Sequence, residues 1–278
     1  MNSLTTGIQA TPATAFSETP LQSRSVTIAI PSFNEEGNLE RLFLLLENTF
    51  RKLKFDLPVL LIDDGSTDSS PEILTGLMER YAFLRVIRHP SRRGVTEVWR
   101  TAIANIHTDW ILWGQADLES NPETDIPLLL EACVPGVDAV AGRRLNRGDG
   151  KVRASKLANW ACQKAFNLEI HDMNWIKLVR RDRVAKLPLQ IITHRYLLAI
   201  LAGIGCKVTE VTTPWHPRHS GTSKFGRKRF LTSAVNFITT WLWFQIEGSA
   251  YRDEVKMIQS WSSGPNDTTY MRIPRDKL

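Results

Sequence analysis

Short apolar runs that end in polar clusters recur through the first 120 or so residues of this chain. Residues 26–30 form a β-rich run, and after a polar loop Leu39, Leu42, Phe43, Leu46, Phe50 and Leu53 return at the spacing of one helix face. A second apolar run at 59–62 predicts a strand, and Ser70 before Pro71 offers an N-cap to a helix over 70–81. The pattern continues with a strand at 84–88, a helix over 96–106 and a strand at 110–113. Strands and helices alternating through short connections imply right-handed crossovers and an α/β fold with a mainly parallel central sheet.

Beyond Pro122 the alternation loosens. The spacing predicts helices near 126–132, 155–168 and 196–202, with strands at 138–141, 176–179 and 207–211. No internal repeat or linker divides the chain, so 25–229 reads as one domain, with 25–123 and 124–229 as halves laid on the same sheet. Residues 1–24, rich in Thr, Ala, Ser and Pro with only Glu18 and Arg24 charged, read as a disordered tail rather than a signal or transit peptide. Residues 230–246 read as an aromatic amphipathic helix and 247–278 as a polar C-terminal tail. The 230–246 stretch is interrupted by Thr232, Ser233, Asn236, Thr239 and Thr240, whereas a membrane span needs about 20 predominantly apolar residues. The expectation is a chain without a transmembrane helix, attached peripherally to the cytoplasmic face of a membrane.

A length of 278 residues with 42% hydrophobic ones suffices for a full α/β core. Cys133, Cys162 and Cys206 match no metal or disulfide spacing and read as reduced, buried thiols. The net charge of +6 is uneven, because Arg218, Lys224, Arg227, Lys228 and Arg229 fall close together. Such a cluster suits phosphates or anionic lipid headgroups. No nucleic-acid-binding motif accompanies it, so nucleic acid is not an expected partner.

Three polar clusters close successive strands: Pro31-Ser32-Phe33-Asn34-Glu35, Asp63-Asp64-Gly65-Ser66-Thr67-Asp68 and Gln115-Ala116-Asp117-Leu118-Glu119. In a parallel sheet all three reach the carboxyl edge, where open α/β folds bind ligands. Carboxylates packed as closely as those of the second cluster require hydrogen-bond donors or a cation; a solvated Asp/Ser turn is the alternative. Gln115, Asp117 and Glu119 occupy alternate positions and share a direction if the backbone is extended. Their oxygens suit Mg2+ or Mn2+, with an ordinary strand end as the alternative.

Together these clusters resemble glycosyltransferase family 2, in particular its polyprenyl-phosphate sugar transferases of the dolichol-phosphate mannosyltransferase type, over residues 26–229. The resemblance implies a single Rossmann-like glycosyltransferase A-type fold. Pro31, Phe33, Asn34 and Glu35 match the loop that holds base and ribose; Asp63, Asp64, Gly65, Ser66 and Asp68 match a turn of the nucleotide pocket. Asp117 matches the second Asp of the family's metal-carrying Asp-x-Asp, while Gln115 stands where the first is expected and Glu119 where Gln or Ser is common. The metal site thus loses one negative ligand at Gln115, and Glu119 is placed to restore one.

Further on, Gly142-Arg143-Arg144 resembles the family's Gly-x-Arg segment, which makes Arg143 a phosphate-binding candidate. The stretch Asp172 to Lys177 resembles Asp-x-x-x-Gly-Phe-Lys, with Trp175 replacing the Gly, and His194-Arg195-Tyr196 resembles a His-Arg-Phe segment. The run from His216 to Gly226 follows His-x-x-Arg-x-x-Gly-x-Ser-Lys-Tyr/Phe-Gly, making Arg218, Ser223 and Lys224 phosphate ligands by resemblance.

The implied function is inverting transfer of a sugar from a nucleotide diphosphate sugar to a polyprenyl phosphate, with Asp117, Glu119 and Arg218 as the catalytic residues. Two alternatives stay open: a transferase acting on a polysaccharide or lipopolysaccharide hydroxyl, and a catalytically weak nucleotide-sugar binding protein. Arg227-Lys228-Arg229, followed by Phe230, Phe237, Trp241, Leu242 and Trp243, suits an anionic membrane surface. The same aromatics serve equally to cover the core or a homo-oligomer interface.

Overall fold

A computed structural model describes residues 25–145, 160–166, 170–191, 193–220 and 229–262. The element order is β1 (Val26–Ser32), α1 (Glu36–Leu53), β2 (Val59–Asp63), α2 (Ser70–Arg80), β3 (Leu84–Arg88), α3 (Val95–Asn105), β4 (Trp110–Trp113) and α4 (Pro122–Glu131). There follow β5 (Ala139–Leu145), α5 (160–166), β6 (Lys177–Arg180), α6 (Arg181–Ala185), α7 (Leu197–Gly203), β7 (Val208–Pro214) and α8 (Arg229–Ser262).

The strands form one seven-stranded sheet in the order β3-β2-β1-β4-β6-β5-β7. Only β6 runs against its neighbours, β4 and β5; the pairs β1–β2, β2–β3, β1–β4 and β5–β7 are parallel. The strand alternation of side chains splits the core into two layers. Ala29, Leu60, Ile62 and Trp113 face α3, α7 and α8, while Ile28, Ile30, Leu61 and Leu112 face α1, α2 and α4. All five residues of β2 are buried, as a strand covered on both faces requires.

Most of the expected elements are present with shifted ends. Ser70 is not the N-cap of α2: Ser69 occupies that position without a side-chain bond. The Ser70 hydroxyl instead accepts from the Glu35 amide at 3.0 Å, a tertiary partner that outcompetes the local cap. The helix expected over 230–246 runs on to Ser262, so residues 247–262 are helical rather than tail. Its continuation is held by packing, since Phe244 and Val255 are buried in the core. The expected tail at 1–24 lies outside the described residues.

On α8 the structure separates aromatics that were expected to act together. Trp243 is 5% exposed and donates to Glu247 at 2.8 Å, and Phe237 packs edge-on against Phe166 and Tyr196. The exposed apolar stripe is instead Val235, Ile238, Trp241, Leu242 and Ile246. Among the described residues no helix is long and apolar enough to cross a membrane.

Candidate active site

The ends of β1 and β2 are laced together by hydrogen bonds. Asn34 adopts a left-handed backbone, φ 53°, which Asn tolerates better than most residues. Its amide donates to the Ser66 hydroxyl at 2.9 Å, and its side-chain oxygen accepts from the Thr67 amide at 2.8 Å. Asp68 accepts from the Glu36 and Ser70 amides. Burial pushes the Asp68 carboxyl upward, but these bonds and the Ser70 hydroxyl outweigh it and hold the group below its ordinary value.

Asp63 and Asp64 turn inward from this edge. Asp63, fully buried, accepts from the Ser66 amide and hydroxyl and forms an ion pair with Arg88 at 3.2 Å. Asp64, 4% exposed, accepts from the amides of Arg93 (2.8 Å) and Gly94 (2.7 Å) and lies 2.9 Å from His89 Nδ1. The opposite ring nitrogen of His89 is 2.8 Å from the Thr101 hydroxyl. Gly65 is left-handed, and a Cβ there would come within 2.5 Å of the Ser91 backbone, so the acidic turn sits directly on the β3–α3 loop. That loop was missed in the sequence. It lies at the same carboxyl edge and places the Arg92 guanidinium 4.3 Å from the Phe33 ring centre; the basic run Arg92-Arg93 after a third strand was the available signal.

Asp117 and Glu119 are joined by a residue distant in sequence. Arg218 Nη2 lies 2.8 Å from Asp117 Oδ2, and Arg218 Nε donates to Glu119 Oε1 at 2.6 Å. The loop after β7 delivers this guanidinium: the His216 amide donates to the Glu119 carbonyl at 3.0 Å, and Asn38 of α1 donates to the Ser220 carbonyl at 3.4 Å. Asn38 also donates to Glu35 at 2.6 Å. Burial pushes Asp117 up to about 6 despite Arg218, and the neighbouring charges of Glu119 and Glu35 add to that rise.

Gln115 does not join them, contrary to expectation. β4 ends at Trp113 and the backbone turns, with Leu118 at φ 57°, so alternate positions no longer share a direction. The Gln115 amide oxygen is buried without a hydrogen-bond partner, and the residue lines a small cavity with Ile28, Leu42, Ser120 and Asp125 behind the edge. Among the described residues no cluster of three or more His, Cys, Asp or Glu side chains has metal-holding geometry. Asp117 and Glu119 are nevertheless hard oxygen donors at one spot, now neutralised by a cation, and so suit a divalent ion in donor chemistry.

In the second half, Arg144 makes two bonds to Asp172, at 2.6 and 2.9 Å, and lies over the Trp175 ring, whereas Arg143 is exposed at the end of β5. Trp175 is 1% exposed, donates to Thr213 at 2.9 Å, and takes the place made by Gly142, where a Cβ would approach it to 2.8 Å. The Lys177 ammonium is buried and donates to the Met173 carbonyl. Burial brings it down to about 8, against the upward pull of Asp172. His194 lies 3.1 Å from the Thr96 hydroxyl, and Arg195 donates to Ser233 of α8. Ser223 and Lys224 lie outside the described residues.

The family model described as glycosyl transferase family 2 matches residues 27–198. An undecaprenyl-phosphate 4-deoxy-4-formamido-L-arabinose transferase of Pseudomonas paraeruginosa (strain DSM 24068 / PA7) is 30% identical over 77% of this chain and 64% of its own length. The protein of the same description from Photorhabdus laumondii is 30% identical over 78% of this chain and 68% of its own. The chain therefore spans about two thirds of the length of these curated relatives. Among solved structures, glucosyl-3-phosphoglycerate synthase from Mycobacterium tuberculosis, in complex with Mn2+, UDP-glucose and phosphoglyceric acid, superposes with a TM-score of 0.60 at 17% identity, covering 79% of each chain. That likeness shows the fold.

Proposed function

We propose, from the premise that this chain belongs to glycosyl transferase family 2, that it transfers a sugar with inversion from a nucleotide diphosphate sugar to a polyprenyl phosphate at a membrane surface. The observation that carries this reading is the meeting of Asp117 and Glu119 with Arg218 at the carboxyl edge of the sheet. The relatives' undecaprenyl-phosphate acceptor supports the substrate class.

Phe33 and Arg92 offer a stacking platform for the base, beside Pro31, Asn34 and Glu35. Ser66 and Asp68 hold that loop in shape, while Asp63 and Asp64 brace the pocket from behind. Asp117 and Glu119 would hold a divalent cation, Mg2+ or Mn2+. Bound there, such an ion supplies charge neutralisation for the diphosphate leaving group. Arg218 adds a guanidinium that can fork onto phosphate oxygens, and Ser223 and Lys224 extend the phosphate contacts. A phosphate acceptor, steered by exposed Arg143, is ionised at neutral pH and attacks the anomeric carbon from the face opposite the departing diphosphate. No general base is required. A hydroxyl acceptor is the second reading, for which Asp117 or Glu119 is the available carboxylate to take its proton.

The uncharged stripe Val235, Ile238, Trp241, Leu242 and Ile246 suits the headgroup boundary of an anionic membrane, with Arg227-Lys228-Arg229 preceding it in sequence. Undecaprenyl phosphate in vesicles, incubated with the protein, Mn2+ and a panel of radiolabelled nucleotide sugars, should yield a labelled lipid. Label appearing only on a glycan hydroxyl would favour the second reading, and nucleotide-sugar binding without transfer to either acceptor would leave a binding protein.

A further inference from the structure

Both oxygens of Asp117 are occupied in this structure. Oδ2 meets Arg218 Nη2 at 2.8 Å, and Oδ1 accepts from the Glu119 amide at 3.2 Å. The same guanidinium holds Glu119 Oε1 through its Nε. A divalent ion would approach these same oxygens to about 2.0–2.1 Å in the case of Mg2+, and two cations drawn to one carboxylate pair repel each other, so the guanidinium and the ion compete for it. Arg218 is not stranded there by chance: His216 is tied to the Glu119 carbonyl, Ser220 to Asn38 and His219 to Arg41, which anchors the loop on both sides of it. Without a cation, two carboxylates so close together and largely screened from water would repel.

We infer that Arg218 is a built-in competitor of the divalent ion: it occupies Asp117 and Glu119 until a diphosphate draws its guanidinium away, so that metal and donor enter together and metal alone binds poorly. This inference rests on the nucleotide-sugar reading of the site. In the resting protein the arginine neutralises the carboxylates; in the loaded one it faces the phosphates while the carboxylates face the ion. The exchange keeps the charge of the site balanced in both states.

The test is Mn2+ binding followed by the electron-spin resonance of the free ion, first without nucleotide. Arg218→Gln should bind Mn2+ at least tenfold more tightly than wild type, and Arg218→Lys, which keeps a positive charge, should stay within a few-fold of wild type. Adding UDP should tighten Mn2+ binding to wild type at least tenfold and to Arg218→Gln by less. Equal Mn2+ affinity of wild type and Arg218→Gln without nucleotide would overturn the inference. If thermal melting shows that Arg218→Gln does not fold, the Nε–H resonance of Arg218 in the wild-type protein decides: it should move whenever Mg2+ binds, at much lower Mg2+ with UDP than without, and bound Mg2+ beside an unmoved resonance refutes competition. If no nucleoside diphosphate alters Mn2+ binding by wild type while Arg218→Gln still binds it more tightly, the donor reading fails and the competition stands.

Discussion

The acidic turn after β2 and the acidic turn after β4 are similar in composition and opposite in construction. Asp64 and Asp68 accept chiefly from backbone amides of their own turn and of the neighbouring loops, and Asp63 from the Ser66 amide and hydroxyl with Arg88 of the adjacent strand beside it. Asp117 and Glu119 are held mainly by one guanidinium from a loop about a hundred residues away. Carboxylates held mostly by main-chain donors nearby build the scaffold; under the inference drawn above, those held by one distant side chain exchange partners. Carboxylate count alone does not separate the two.

Several substitutions would break or sharpen this contrast. The largest effect is expected at the exchangeable turn: Arg218→Ala should lower kcat and kcat/KM together by about a hundredfold or more, roughly 3 kcal/mol of transition-state stabilisation. Its melting temperature should fall modestly, because Asp117 and Glu119 lose the guanidinium that neutralises them, while the fold persists. A collapsed melting temperature with preserved specific activity would make the arginine structural.

At the scaffold turn the balance should reverse. Asp64→Ala leaves the amides of Arg93 and Gly94 and the His89 ring without their acceptor. It should cost about 2–3 kcal/mol in denaturant unfolding, by the usual penalty for orphaning buried donors, and weaken nucleotide binding only as far as the loop loosens. Unchanged stability with abolished binding would put Asp64 in contact with ligand.

The two turns should also respond to pH with opposite signs. Asp117 titrates higher in the folded chain, at about 6, than its ordinary value of 3.8, so the folded state binds more protons and loses stability as pH rises from about 4 to 6. Asp117→Asn should remove that loss, of order 1–3 kcal/mol, leaving the similar contribution of Asp125 in both proteins. Asp68 is held below its ordinary value; its contribution is present above pH 3.8 and is lost as pH falls through its lowered value. Parallel unfolding curves of wild type and Asp117→Asn between pH 4 and 6 would remove the predicted asymmetry.

The smallest effect is expected at Arg92, exposed over Phe33. Arg92→Ala should weaken nucleotide binding by a few-fold, consistent with about 0.5–1 kcal/mol for a cation over an aromatic face. Calorimetry with UDP and its analogues would detect it, and no change would take Arg92 out of the base platform.

Periodicity was enough to read the strands β1 to β4 and the helices between them, because a sheet covered on both faces demands apolar strands and one-sided helices. The parallel edge and its three polar clusters followed from that alternation. Other features depended on contacts that local spacing does not encode. Alternate spacing put Gln115 beside Asp117, but β4 stops at Trp113 and the turn sends the Gln115 oxygen behind the edge. The aromatic run of α8 read as one face, yet Trp243 and Phe244 pack inward while Trp241 stays at the surface.

The sequence by itself determined the layered α/β architecture and the set of polar residues available at its carboxyl edge, since both arise from short-range periodicity and the chain order of strands. Only the tertiary structure decided which of those carboxylates became scaffold and which were left to a single side chain from a distant loop. The decision lies in long-range hydrogen bonds: Asp64 finds its donors in the loop after β3, and Asp117 finds its cation in the loop after β7.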